Sequence, residues 1–492
     1  MSDSTEKSPP SLEHGALERV GSSSVAFDPK AESRLRTKID WMIMPTVVLI
    51  YLFCFIDKAN IGNARIAGLE ADLNMTGLDY NATLSIFYIS YILFEIPSNI
   101  VCKLIGPGWF LPILTVCFGA CSIATAWVDT VPQAMGIRFL LGLFESGMNP
   151  GMAYYLSRWY RRSELTFRIS LYIVSAPLSG AFGGLLASAI LRLDHFGTLK
   201  TWRMIFAIEG IITIGLGLIA FITLTDRPAT AHWLSNDEKE LAEARIRSER
   251  MEQSKVLDRI DKKKLIHGIT SPVVLSNAII FLFTNITAQG LAFFTPTIVR
   301  TIYGDKSTIQ QQLYTVPPYV MGSFLTIIFA LLSWRVDQRQ IFSTLCTPLV
   351  IIGYIMFLAS DNATVRYAAI FLVASSIFSL GTLTTSQASA NVVSDTARSS
   401  AFAINAMFGN IGGLISTWSF LSWDGPDYPI GNGLNLATTV SILIVSSLTH
   451  VWMIRDNASR DRNEAEALAA MDAASEQEED LDWKHPSFRW KL

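Results

Sequence analysis

Apolar residues in this chain come in long uninterrupted blocks, neither alternating as in a half-buried strand nor recurring along one stripe as on a surface helix. The blocks lie at about 41–62, 83–104, 110–128, 132–154, 168–191 and 203–224 and, after a long polar stretch, at 272–298, 312–333, 341–359, 366–388, 399–421 and 433–454. At about 1.5 Å of rise per residue, each is long enough to cross a bilayer as a helix. The pattern predicts an all-α polytopic membrane protein with twelve transmembrane helices in two six-helix bundles.

Polar stretches set the boundaries. Residues 1–40 are rich in serine and charge, lack a signal-peptide core, and read as a disordered cytosolic tail. The first bundle is expected over 41–224, a cytosolic linker over 225–270, the second bundle over 271–455, and an acidic cytosolic tail over 456–492 with a short helix at 460–474. In the linker, "SNDEKELAEARIRSERMEQ" spaces its charges as an exposed amphipathic helix does. Basic residues in "SRLRTK", "SRWYRRSELTFR" and the "KKK" at 262–264 place these segments and both termini in the cytosol. Sequons at Asn74, Asn81 and Asn362 then fall on the outer side as glycosylation candidates, Asn81 very near the bilayer.

Composition agrees with this class: half the residues are hydrophobic, 16% are charged, and a mean hydropathy of +0.35 is too high for an ordinary soluble domain. No basic stripe suggests a nucleic-acid partner. Cys54, Cys102, Cys117, Cys121 and Cys346 lie inside apolar blocks without metal-ligand spacing, and read as buried thiols. The histidines are scattered, and no Ser/His/Asp set, phosphate loop or metal helix stands in a suitable context. No enzyme, metal or cofactor is implied. The expected partner at this level is the bilayer, around a monomer.

Ionisable residues inside apolar blocks point to function, because a charge is costly in hydrocarbon. They are Asp57 and Lys58 in span one, Glu95 in span two, Arg138 and Glu145 in span four, and Glu209 in span six. The carboxy-terminal half carries neutral polar groups instead: Asn285 and Gln289 in span seven, Gln387 in span ten, and Asn405 and Asn410 in span eleven. Counting rise along the helices puts Lys58 and Arg138 in the outer third and Glu145 near the midplane. Arg138, Gly142 and Glu145 share one face of span four, where Gly142 admits another helix or a substrate between the charges.

A carboxyl group at that depth favours its neutral form unless a cation lies close, which makes Glu145 a candidate proton carrier. Protonated, it releases Arg138 or Lys58 to hold an anion; once the anion leaves, the carboxylate pairs again. Arg138 and Lys58 are therefore the candidate anion ligands, Asn285, Gln289, Asn405 and Asn410 the candidate hydrogen-bonding groups, and Glu145 with Asp57 the candidate proton-coupling acids. The alternative is a permanent set of ion pairs, Asp57 with Arg138 and Glu145 with Lys58, that only packs helices. Glu95, just before Pro97, is a gate candidate or a structural carboxylate, and Glu209 a partner for Arg203 or another helix. Gly180, Gly183 and Gly184 in "SAPLSGAFGGLLASA" are expected at a helix contact that slides. Tyr88, Tyr91, Phe293 and Phe294 line a cavity or pack.

The ordered stretches "FIDKANIGNARIAGL", "FYISYILFEIPSN", "RFLLGLFESGMNPGMAYYLSRWYRRSE" and "WRMIFAIEG", followed by "DRPATAHWLSNDEKELA", resemble the fungal allantoate permease group of the anion:cation symporter family, within the major facilitator superfamily. The resemblance covers roughly residues 40–455. It implies halves that rock about a midplane site and proton-driven uptake of small carboxylates, such as allantoate, nicotinate, pantothenate or biotin, across the plasma membrane. The family's acid and base after the first helix match Asp57 and Lys58, and its Arg and Glu in the fourth helix match Arg138 and Glu145. Many members carry Arg where this chain has Lys58, and an ammonium is a point charge rather than a two-pronged clamp. The superfamily's Gly/Asp/Arg gating motif is degenerate here: Asp337 and Arg339 in "SWRVDQRQ" keep more of its charge than Lys103 in "CKLIGPGWF". The Gly-Pro pair of the antiporter motif is missing from span five, which favours symport or uniport.

The expected function is a secondary active transporter that imports a small organic anion with protons by alternating access. Two other readings stand beside it: an exporter of a secondary metabolite or organic acid, and a non-transporting nutrient sensor that signals through its tails.

Overall fold

A computed structural model describes residues 29–251, 266, 268–392, 395–474 and 482–492. Among them the regular structure is helical, and the sole strand-like feature is an isolated bridge between Phe196 and Leu199. Ten of the helices are long and apolar enough to cross a membrane. The other two crossings are split or short. Span four is divided into α4 (Val131–Glu145) and α5 (Met148–Ser157), and the apolar part of span eleven is Ser400–Ser416. Twelve crossings place both ends of the chain on one face, here called the terminal face, opposite a far face.

The amino-terminal half comprises α1 (Pro29–Ala64), α2 (Asp79–Ile105), α3 (Pro107–Thr125), α4, α5, α6 (Arg162–Ile173), α7 (Ser175–Ile190) and α8 (Trp202–Thr223). The helix α9 (Asn236–Met251) lies in the central segment. The carboxy-terminal half comprises α10 (Pro272–Ile302), α11 (Thr308–Val336), α12 (Arg339–Ala359), α13 (Ala363–Ala390), α14 (Asp395–Ser416) and α15 (Pro429–Ala474). Local chemistry sets several starts. Ser307 and Gln310 form a reciprocal capping box at α11, and Asn362 caps α13 by accepting from the Thr364 and Val365 amides.

The described parts of the two expected tails, residues 29–40, 456–474 and 482–492, are structured, and residues 1–28 and 475–481 lie outside the described residues. Residues 29–40 form the first turns of α1, where ion pairs replace the apolar packing that the sequence lacks. Glu32 takes Arg161 at 2.7 Å and Arg245 at 2.8 Å, Asp40 takes Arg168 at 2.7 Å, and Lys38 meets Glu238 at 2.6 Å. These contacts tie α1 to α6 and to α9, and they frame a cavity of about 610 Å³ at the terminal face, away from the intramembrane charges. At the other end, α15 continues unbroken to Ala474, and residues 482–492 fold back onto the carboxy-terminal half. Trp490 is buried with Val273 and Met453, the Gln387 amide donates to the Lys491 carbonyl at 2.6 Å, and the Arg339 amide donates to the Leu492 carbonyl at 2.9 Å. Of the expected linker, residues 252–265 and 267 lie outside the described residues.

The halves meet along three seams, α1 on α10, α2 on α14 and α7 on α11. Glycine makes the last possible: a Cβ on Gly180 would come within 2.5 Å of the Tyr319 ring, and one on Gly184 within 2.6 Å of Thr315 Oγ1. Gly183 faces span one instead, near Asn63 and Ile56. At the far face the seams are bonded shut. Asn81 donates to the Thr417 carbonyl at 2.6 Å, the Ser85 and Thr417 hydroxyls lie 2.7 Å apart, and Gln312 donates to the Asn63 carbonyl at 3.1 Å.

Candidate functional site

Span one delivers Lys58 into the amino-terminal half, where its ammonium lies 3.6 Å from Glu145 Oε2. Three rings surround it, with the Phe55, Phe87 and Tyr91 centroids 5.1, 5.1 and 4.9 Å away. Glu145 closes α4 at the break before Gly147, and a Cβ on Gly147 would strike the Phe110 ring, so the break is held by span three. Glu145 is fully buried beside the Cys54 thiol, and among the described residues no nitrogen or oxygen donor lies within hydrogen-bond distance of its carboxylate. A charge-assisted bond built for structure closes to about 2.7–2.9 Å. This pair stands farther apart, with the cation's attraction shared by aromatic faces, and so can exchange partners.

Asp57, next in sequence to Lys58, points elsewhere. Its oxygens accept from Ser122 at 2.9 Å and Thr213 at 3.4 Å, inside the packing of spans one, three and six. Arg138 is buried without an ion pair among the described residues: its guanidinium lies 5.9 Å from the Phe206 ring and its Nη2 has no acceptor. The static pairing of Asp57 with Arg138 is therefore not formed, because hydroxyl donors already satisfy the carboxylate. Gly142 lies against Ser90 Oγ and the Phe87 carbonyl, so span two occupies the notch between Arg138 and Glu145. The Lys58 stem bridges from span one to Glu145 at the end of α4. Glu209 does not take Arg203, which bonds Asp129 at 2.9 Å and the Ala126 carbonyl at 3.0 Å; both Glu209 oxygens are buried and unpartnered.

In the carboxy-terminal half the neutral groups divide. The Asn410 amide donates to Glu95 Oε2 at 2.9 Å across the α2–α14 seam. Asn285 spends its amide on the Phe281 carbonyl one turn back, and Gln289 is half-buried farther along the same helix. Asn405 is buried with both amide atoms unpartnered, and Gly409 and Gly412, one and two turns on, pack on Phe281 and Leu282, so this face looks at span seven. Gln387 is taken by the docked carboxy terminus. Tyr88 and Phe293 face each other across the halves at 6.1 Å, and Gly413 lies on the Tyr88 ring.

At the terminal face Arg339 pairs with Asp337 at 3.1 Å. The loop between spans two and three acts through its glycines: Gly106 holds a positive φ of 94°, and both Gly106 and Gly108 press on Asp226, which Arg158 also holds at 2.9 Å. Lys103 is exposed. Of the sequons, Asn74 and Asn362 are exposed, whereas Asn81 is buried with its amide committed to the Thr417 and Phe420 carbonyls, which corrects its assignment as a glycan acceptor.

One buried cation escaped the sequence reading. Arg65 stacks 4.1 Å over the Tyr80 ring and lies 5.9 Å from the Phe294 ring at the far-face seam. Its signal was spacing: seven residues after Lys58, it lies on nearly the same side of span one.

The sequence matches the model of the Major Facilitator Superfamily over residues 47–417. An uncharacterized transporter of Schizosaccharomyces pombe (strain 972 / ATCC 24843) is 30% identical over 487 residues, covering 98% of this chain and 94% of that protein. The high-affinity nicotinic acid transporter of Saccharomyces cerevisiae is 28% identical over 459 residues, covering 93% and 85% respectively. Among solved structures, an inward-facing, unoccupied bacterial homolog of the human lysosomal transporter Spinster superposes with a TM-score of 0.64 at 15% identity, over 85% of this chain and 96% of that one, which shows a shared fold.

Proposed function

The chain belongs to the Major Facilitator Superfamily, and from that premise we propose that this secondary active transporter, which is not an enzyme, imports a small organic anion together with protons. The loosely held Lys58–Glu145 pair supports the proposal: a buried carboxylate with no nitrogen or oxygen donor in bonding distance among the described residues, 3.6 Å from an ammonium, together with an Arg138 whose Nη2 is unfilled. Protonation of Glu145 removes the countercharge from Lys58. An anion then enters between Lys58 and Arg138, with Asn285 and Gln289 offering hydrogen bonds from the opposite half. The reverse step restores the ion pair after release, so the empty carrier does not leave Lys58 unpaired in hydrocarbon.

The rings around Lys58 favour a flat carboxylate of the kind that the nicotinic acid relative is named for, and the motif set supports placement in the allantoate permease group. In this reading the halves, residues 41–224 and 271–455, rock against each other. Asp337, Arg339 and Glu95 take part in gating, Asp57 serves packing, and the unpartnered Asn405 amide offers a further hydrogen bond to the anion. A monomer sits in the plasma membrane with both termini in the cytosol and Asn74 and Asn362 open to glycosylation.

The test is uptake into proteoliposomes of labelled nicotinate, allantoate, pantothenate and succinate, with and without an imposed proton gradient. The gradient is expected to drive accumulation, and Glu145→Gln to abolish it while leaving counterflow. Gradient-independent uptake, or full accumulation by Glu145→Gln, sinks the coupling scheme.

A further inference from the structure

Arg65 is left unused by the scheme above. It stands about 10 Å farther than Lys58 toward the far face, on nearly the same side of span one. It stands at the start of the kinked segment Arg65–Leu69, in which Gly68 holds a positive φ of 109° and turns the chain at the end of span one. Its stacking rings come from opposite halves: Tyr80 starts span two and Phe294 belongs to span seven. Phe294 continues into Phe420 at 5.0 Å, so the aromatic wall belongs largely to the carboxy-terminal half. Arg65 Nε donates to Glu70 at 2.8 Å, whereas Nη1 is buried and meets no acceptor among the described residues.

An unfilled guanidinium donor out of water is costly, and the cost is recovered if another state of the protein fills it. We infer that Arg65 is a second anion site, a vestibule that captures the substrate carboxylate at the far face before Lys58 and Arg138 receive it. When the halves part there, Phe294 withdraws with its half, the stack opens on one side, and the free guanidinium edge meets the incoming carboxylate. Glu70, partly exposed beside Arg65, holds the guanidinium at rest and competes with the anion. The inference rests on the proposed import of organic anions.

Full-length protein in proteoliposomes is assayed with whichever of nicotinate, allantoate, pantothenate and succinate gives the largest uptake. Arg65→Gln is expected to raise KM about tenfold for substrate offered at the far face, with Vmax within about twofold, and to flatten the dependence of KM on salt. For substrate offered at the terminal face without a gradient, KM should stay and Vmax should fall about tenfold, since Vmax/KM has to be equal in the two directions, and Arg65→Lys should recover part of the loss. Glu70→Gln, which leaves Arg65 in place, should lower the far-face KM and serves as the decisive variant if Arg65→Gln does not fold. An equal fall of Vmax in both directions, or an unchanged far-face KM in both variants, makes Arg65 a packing element and overturns the inference. If the unaltered protein carries none of the four anions, the import reading itself fails and takes the vestibule with it.

Discussion

Asn410 and Glu95 are hydrogen-bonded at 2.9 Å, and the bond joins span eleven to span two across the seam between the halves. Rocking of the halves has to break or turn it. Asn410→Ala leaves a half-buried carboxylate without its donor, at a cost of about 1–3 kcal/mol in the far-face-closed state. The expected result is a lower thermal midpoint and a larger far-face-open population, read by hydrogen–deuterium exchange of the far-face segment 76–85. Glu95→Gln keeps a bonding partner and should move both readouts less. No change in either readout for Asn410→Ala removes Glu95 from the gate.

Removing one member of the Lys58–Glu145 pair should hurt more than removing both. Lys58→Met strands the Glu145 carboxylate in an apolar setting, and breaking such a pair costs about 3–5 kcal/mol unless the survivor changes its protonation. Lys58→Met with Glu145→Gln leaves no unpaired charge and should regain most of the single variant's lost stability. Neither should accumulate substrate. Additive losses in a thermal-shift cycle would mean that the two groups do not interact.

The twelve crossings were legible because hydropathy reports the solvent around a helix, and hydrocarbon demands long apolar blocks. Direction around the helix was much less so, since a membrane helix is apolar toward lipid and toward its neighbours alike. Asp57 and Lys58 are adjacent, yet the first serves spans one, three and six while the second meets span four. Arg65 needed the i, i+7 relationship to Lys58, and Asn81 looked like a surface sequon because nothing local marks a seam. Residues 29–40 were read as tail because their partners are charged residues far along the chain, such as Arg245 with Glu32.

The α7–α11 seam should be intolerant of any added atom on its glycines. Gly184→Ala puts a methyl group against Thr315 Oγ1 and the Gln312 carbonyl, and overpacking of this kind costs about 1–3 kcal/mol. Gly183→Ala, whose Cβ would sit 3.8 Å from its nearest neighbour, should be accepted. If the seam slides during transport, Gly184→Ala lowers turnover more than substrate affinity. Equal transport by the two variants would show that the seam is loose.

Glu209 is expected to be dispensable as a charge. No donor reaches either of its buried oxygens, and Arg203 is engaged elsewhere. Glu209→Gln keeps the shape and adds no ion, so thermal midpoint and uptake should match the unaltered protein, within about 0.5 kcal/mol. Loss of proton-driven accumulation with intact counterflow would instead give Glu209 a place in coupling.

The docked carboxy terminus holds together helix ends that are distant in sequence. Trp490 sits in a pocket with Val273 and Met453, its indole N–H donates to Asp456 at 2.7 Å, and its backbone exchanges two hydrogen bonds with the Asn457 side chain. Beside it, Lys491 bonds Asn391 and Gln387. Trp490→Ala removes the anchor and should cost about 3–5 kcal/mol of local stability, seen as faster proteolysis of residues 482–492 and a lower thermal midpoint. Trp490→Phe keeps most of the ring contact and forfeits the bond to Asp456, a loss of about 1 kcal/mol. Deleting residues 482–492 leaves Gln387 and Asn391 without these partners at the mouth of spans ten and eleven, so it should reproduce the Trp490→Ala midpoint. A deletion that melts with the unaltered protein would show that the segment rests on the bundle without bracing it.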